Sequence, residues 1–160
     1  MSTSIDIARR FYGALAGADG PALFRLLTDD FVGTVSAGMP HGVGGRHRGP
    51  ADMIAGVWGR IGTLYDMHVD PAEYLAVDDD RVVVIGRYWG PARDGRTTVD
   101  AAFAHVITTR EDQIAALHQI TDTARWNILP TVRVGVDEPT RPTRADRSVR
   151  RIDPDLRGGK

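Results

Sequence analysis

The chain contains no cysteine. That excludes disulfides, thiolate zinc sites and thiol nucleophiles. Lysine is almost as scarce: Lys160 stands alone beside nineteen arginines. Neither a Schiff-base lysine nor a Walker-type phosphate loop is expected. The four serines, Ser2, Ser4, Ser36 and Ser148, sit in no nucleophile-elbow pattern. No apolar run approaches the roughly 18 residues of a membrane span. The opening "MSTSIDIARRFY" lacks the continuous apolar region of a signal peptide, so a cytoplasmic location is the expectation. A formal net charge of −1 supplies no field for nucleic acid or anionic lipid, and neither is expected as a partner.

What is present reads as one globular domain. Of the 160 residues, 42% are apolar and 26% charged. Two helices are predicted first. "SIDIARRFYGALAGAD" carries Ile5, Ala8, Tyr12 and Leu15 at helical spacing, with Ser4 as the candidate N-cap. "GPALFRLLTDDF" follows, with Pro21 near its first position. "FVGTVS" predicts a short strand, and residues 37–49 a glycine-rich loop. "PADMIAGVWGRIGTL" predicts a third helix. Four strands are then predicted over 67–77, 81–90, 96–109 and 113–123, separated by the turns "DDD", "ARDG" and "RED". Helices first and an antiparallel meander after them indicate an α+β domain, with helices on one face of a curved sheet. This domain is expected over residues 1–130. Residues 131–160 read as a polar tail, rich in proline and in charge of both signs, dispensable for folding or docked on a partner.

The plausible acid–base groups are the five histidines, the carboxylates and the four tyrosines. A two-residue turn at Glu111–Asp112 pairs His105 with His118, Phe103 with Ile120 and Ala101 with Asp122. A turn at Asp94–Gly95 sets Tyr88 opposite Ala101. One sheet face then carries Tyr88, Phe103, His105, Ile107, His118, Ile120 and Asp122. The other carries Arg87, Trp89, Asp100, Ala102, Ala104, Val106, Leu117 and Gln119. Apolar walls with a few convergent polar groups are what a ligand pocket requires. A one-residue slip would exchange the partners, since the side-chain period of a strand is two.

Four stretches carry a resemblance: "FYGALAGADGPALFRLLTDDFV", "GMPHGVGGRHRGPADM", "VVVIGRYWG" and "DAAFAHVITTREDQIAALHQITDTARW". Over roughly residues 5–128 the chain resembles the SnoaL-like polyketide cyclase family. That family lies in the nuclear-transport-factor-two-like superfamily, with ketosteroid isomerases and limonene epoxide hydrolases. The resemblance implies a cone-like curved antiparallel sheet wrapped by helices, a cystatin-like α+β barrel, around a deep pocket. It implies acid–base chemistry without a cofactor on a small hydrophobic, polyketide-like substrate, most often ring closure or isomerisation through an enolate. The family's key aspartate lies near the end of the last strand, where Asp122 matches. A histidine on the preceding strand matches His105. His118 stands where a longer side chain is usual, and Glu111–Asp112 replaces a common Asp-Gly turn.

The expected catalytic set is therefore Asp122 as base, assisted by His105 and His118. A desolvated carboxylate has a raised pKa and abstracts protons better near neutral pH. Tyr12, Met39, Trp58, Tyr88, Phe103, Ile120 and Trp126 are the candidate substrate-binding residues. Arg87 and Asp100 form an alternative set suited to epoxide opening, on the face opposite Asp122. A non-catalytic binding domain is the other alternative. No metal is expected, because His41 and His47 lie in one loop without a carboxylate ligand pattern. The apolar second face predicts a homodimer joined sheet to sheet.

Overall fold

The computed structural model describes residues 2–128, so the expectations for the tail lie outside the described residues. Helix α1 (Ser4–Ala16) is capped by Thr3, one residue before the expected Ser4. The Thr3 side chain accepts from the Asp6 N–H and Asp6 returns the bond to Thr3, a reciprocal capping box. Helix α2 (Gly20–Leu26) starts at Asp19, with Pro21 in its first turn. It ends five residues earlier than the apolar pattern predicts, because Leu27 turns extended and opens strand β1 (Leu27–Val35). The glycine-rich segment is not all loop: Gly45–Arg48 forms β2, an edge strand on β1. A helical rod over residues 50–64 follows. It comprises α3 (Pro50–Met53), a π-helical stretch (Ile54–Gly59) and α4 (Arg60–Leu64).

Strands β3 (His68–Ala76), β4 (Arg81–Pro91), β5 (Thr98–Arg110) and β6 (Gln113–Thr121) complete one six-stranded sheet, in the order β2-β1-β6-β5-β4-β3. All neighbours are antiparallel except β1 and β6, which run parallel and close the meander back onto the N-terminal strand. Beyond β6, which ends two residues before the predicted 123, the chain turns into a short helix, α5 (Thr123–Trp126).

The β4–β5 register agrees with the sequence reading: Tyr88 lies opposite Ala101 and Val84 opposite His105. On β5 burial alternates without a break, with Val99, Ala101, Phe103, His105, Ile107 and Thr109 inside. The β5–β6 register does not agree. Glu111 and Asp112 do form the two-residue turn, both with positive φ (50° and 63°), and Arg110 pairs with Gln113 and Thr109 with Ile114. Thr108 then pairs with Ala116, so Ala115 has no partner on β5. This bulge advances β6 by one residue and turns over every side chain beyond it. Leu117 and Gln119 point inward and are buried, while His118, Ile120 and Asp122 are exposed on the outer face. The shared inward face expected for His105, His118, Ile120 and Asp122 is thereby corrected, as is the outward placement of Leu117 and Gln119.

The helices pack on the inner face. Phe11, Phe31, Leu27, Ile107, Ile114 and Leu117 are essentially inaccessible to solvent. Each such side chain contributes roughly 1.5–3 kcal/mol relative to exposure. Gly86 sits opposite Phe103, and a Cβ there would lie 2.5 Å from the Phe103 ring. Its missing side chain lets that ring lie flat on the sheet beside His105. Among the described residues no helix is long and apolar enough to cross a membrane.

Candidate functional site

Between the sheet, the 50–64 rod and the end of α1 lies a cavity of about 470 Å³. That is within the range of small-molecule sites. Met39, Met53, Val57, Trp58, Leu117 and Trp126 give it apolar walls. Tyr88, Gln119 and Tyr65 bring polar groups to it, and Asp66 and Arg93 stand at its exposed rim.

Of the sequence-predicted binding residues, Met39, Trp58, Tyr88 and Trp126 line this cavity. Tyr12, Phe103 and His105 are buried in a layer behind Tyr88, and Ile120 is on the opposite side of the sheet. His118 and Asp122 do not reach the cavity. Asp122 stands at the N-cap of α5, where its backbone N–H donates to Ala102 O at 3.2 Å and its side chain makes no capping bond. Arg87 and Asp100 form a bidentate ion pair on the outer face, at 2.5 and 2.8 Å, and also lie outside the cavity. Their outward direction is as the β4–β5 register predicts, but Asp122 is exposed on that same outer face instead of opposing them. His47 is taken up by Val43 O and Asp52, and no cluster of three metal-ligating side chains occurs among the described residues.

The polar floor is a chain of side chains. His105 lies flat between Phe103 and Tyr12, with ring centroids 4.1 and 5.9 Å away. Its Nδ1 is 2.7 Å from the Tyr12 hydroxyl and its Nε2 is 2.5 Å from the Tyr88 hydroxyl. Burial among rings disfavours the imidazolium and pulls the His105 pKa down to about 3, so the ring is neutral near pH 7. Burial also pushes both phenols up, Tyr12 further than Tyr88, whose rise the Gln119 hydrogen bond opposes.

Gln119 fixes the direction of the chain. The Ser36 N–H donates to Gln119 Oε1 at 3.2 Å, so Nε2 is the end that donates to the Tyr88 oxygen, also at 3.2 Å. Tyr12, neutral His105 and Tyr88 together hold three hydrogens for two O···N contacts. One hydrogen is left over. If it belongs to Tyr12, it is buried with no other acceptor among the described residues, which costs about 1–3 kcal/mol. If it belongs to Tyr88, a residue that lines the cavity, a ligand there can accept it. A ligand that offers an acceptor would favour Tyr12 donating to Nδ1, Nε2–H donating to Tyr88, and the Tyr88 O–H left for that acceptor.

A second phenol–imidazole pair stands at the mouth. Tyr65 Oη is 2.7 Å from His41 Nε2, and Tyr65 is buried while His41 is exposed. Trp126 lies edge-on between the two tyrosines, 5.7 Å from Tyr65 and 5.3 Å from Tyr88 by ring centroid. Its indole N–H donates to Thr121 Oγ1 at 3.1 Å, which in turn donates to Ala102 O. Sequence reasoning missed Gln119, Tyr65 and His41. The signal for Gln119 was present in "QIAALHQIT". Ile114 and Leu117 are three apart, and no unbroken strand can bury both.

These features define an NTF2-like α+β domain: a single curved sheet over which helices enclose a small-molecule cavity. The chain belongs to the SnoaL-like domain family, whose pattern matches residues 8–117. It is similar to an NTF2-like protein of unknown function from Burkholderia pseudomallei, with 28% identity and a TM-score of 0.72 over 82% of this chain and 99% of that one. It is also similar to TerC, solved after co-crystallisation with polyporic acid, with 26% identity and a TM-score of 0.69 over 77% and 94% of the two chains. A candidate polyketide cyclase from Xanthomonas campestris shares the fold at 19% identity, with a TM-score of 0.66 over 77% and 93%. No curated protein matches the chain.

Proposed function

We propose that this protein is a cofactor-independent acid–base enzyme. It takes a small, largely apolar carbonyl or quinone-like compound and promotes cyclisation or isomerisation through an enolate. The observation that carries this reading is the surplus hydrogen of the Tyr12–His105–Tyr88 chain, which Tyr88 can offer to a ligand in the apolar cavity that it lines. A phenol O–H there donates to an oxygen as negative charge develops on it, and removing one such donor typically costs about 10²–10³-fold in rate. Burial disfavours a protonated His105 and both its nitrogens are hydrogen-bonded, so it orients Tyr88 and does not act as the base. The co-crystallisation of TerC with polyporic acid supports that compound as a probe of this cavity. Gln119 favours a second reading, a cavity that only binds. An amide stands opposite His105 on the last strand, and the carboxylate that the resemblance matches, Asp122, is exposed outside the cavity.

Two measurements test this. Polyporic acid should quench the fluorescence of the cavity tryptophans Trp58 and Trp126 saturably, and Tyr88→Phe should weaken binding about 10-fold, the value of one charge-assisted hydrogen bond. Deuterium exchange beside the carbonyl of β-tetralone separates the two readings. An enzyme accelerates it above buffer, and a binder does not. Equal affinity in Tyr88→Phe, or no saturable quenching, would remove the basis of the proposal.

We also propose a sheet-to-sheet homodimer. Leu75, Ile85 and Ile120 are exposed on the outer face, beside Val83 and Val106. An apolar patch of this kind, flanked by the Arg87–Asp100 pair, suits a second copy of the same face. Sedimentation should give a dimer at micromolar concentration and a monomer for Ile120→Glu; a monomeric parent protein would contradict it.

A further inference from the structure

The Tyr65–His41 pair at the cavity mouth has no task in the reading above. It differs from the Tyr88–His105 pair in one decisive respect. Both phenols line the same cavity, but His105 is sealed between rings whereas His41 is exposed to solvent. A sealed imidazole cannot pass a proton to water; an exposed one can. The backbone supplies a second, independent observation. His41 has a φ of 65°, in the left-handed region that glycine favours, and it is followed by Gly42 at 72°. A histidine is kept where glycine would relieve the backbone, and its carbonyl is pinned by Arg60 Nε at 2.7 Å. Strained residues of this kind recur at functional sites.

We infer that Tyr65 and His41 are the proton-abstracting pair of the cavity, acting on a carbon acid whose oxygen is held by Tyr88. This rests on the reading of Tyr88 as the cavity's hydrogen-bond donor. The step balances as follows. The C–H bond next to the carbonyl breaks and its proton passes to the Tyr65 oxygen. The Tyr65 O–H proton moves to His41 Nε2. The electron pair of the C–H bond becomes the enolate, whose oxygen accepts the Tyr88 hydrogen bond. His41 becomes imidazolium and returns the proton to solvent or to the product. Burial, and after it Asp94, raise the Tyr65 pKa; the other charged groups around the pair are Arg60 on the His41 carbonyl and Asp66 and Arg93 at the rim. Two tyrosines separated by one indole thus divide the work. The solvent-linked one removes the proton, and the sealed one stabilises the oxygen.

The test uses the full chain and β-tetralone in deuterium oxide, with polyporic acid binding as the parallel readout. His41→Gly suits the local backbone and is expected to fold. It should slow exchange at least 10-fold and leave polyporic acid affinity unchanged. Added imidazole should restore exchange in His41→Gly and fail to restore it in Tyr65→Phe. A positional role for His41 alone would not respond to a freely diffusing base. If polyporic acid binds in a Tyr88-dependent way while His41→Gly exchanges at the parent rate, or is not rescued, this inference is overturned and the reading of Tyr88 stands. If the parent protein binds polyporic acid but exchanges no faster than buffer, the pair is not a base. If Tyr88→Phe binds as the parent does, the underlying reading fails first.

Discussion

The two hairpins that share β5 are built from similar strands, yet they treat their side chains differently. Against β4, β5 runs eleven consecutive pairs without interruption, from Arg81 with Thr108 to Pro91 with Thr98. Against β6 it runs into a bulge at Ala115 three residues past the turn. The first hairpin therefore delivers Tyr88, Phe103 and His105 to the face that simple alternation assigns them. The second exchanges its faces, bringing in Leu117 and Gln119 and sending out His118, Ile120 and Asp122. One extra residue decides that β6 brings an amide to the cavity floor instead of a carboxylate and a second imidazole.

The strongest way to break this comparison is to remove the extra residue. Deleting Ala115 should either return β6 to the unbroken register, placing Asp122 and His118 inside and Leu117 in water, or leave the chain unable to fold. Exposing Leu117 and burying unpaired polar groups should cost on the order of 3–5 kcal/mol or more, seen as a collapse of the thermal transition. A deletion that unfolds at the parent temperature would show that the bulge does not set the faces.

The next effect sharpens the first hairpin. His105 has its pKa lowered from 6.5 to about 3 by burial. The unfolded chain therefore binds a proton that the folded chain refuses between those values. Stability from this group is intact above about pH 6.5 and is lost as pH falls toward about 3, with a slope of at most about 1.4 kcal/mol per pH unit. His105→Gln should remove that component, so the difference between parent and variant in urea midpoint should change across this window. A constant difference would mean His105 is not sealed.

Most of the fold could be read from periodicity. Strand β5 keeps one phase over Val99, Ala101, Phe103, His105 and Ile107, and its turn to β4 contains Gly95 with a φ of 73°. The site was less legible for physical reasons. A bulge leaves only a conflict of phase, here Leu117 against Ile114 and Ile120, and an unbroken strand in the isoleucine phase carries His118 and Asp122 inward with them. Helix α2 continues in the sequence as "LTDDF" because Leu27 and Phe31 suit a strand as well as a helix. Tyr65 and His41 meet only through tertiary packing, 24 residues apart, and no local pattern announces them.

The smallest effect belongs to the residue that the sequence made most prominent. Asp122 is exposed and its side chain does not cap α5, so Asp122→Asn should change stability by no more than about 0.5 kcal/mol. Polyporic acid affinity and β-tetralone exchange should both stay at the parent level. A loss of exchange in this variant with binding preserved would return the base to Asp122.

The central claim is that a neutral His105 with its proton on Nε2 leaves the Tyr88 hydrogen free for the cavity. Long-range proton–nitrogen NMR correlations of the labelled imidazole read this directly. The account predicts a neutral ring with protonated Nε2 and unprotonated Nδ1, unchanged from about pH 7 down to about pH 5. A ring protonated on Nδ1, or one that becomes imidazolium within that range, would contradict it.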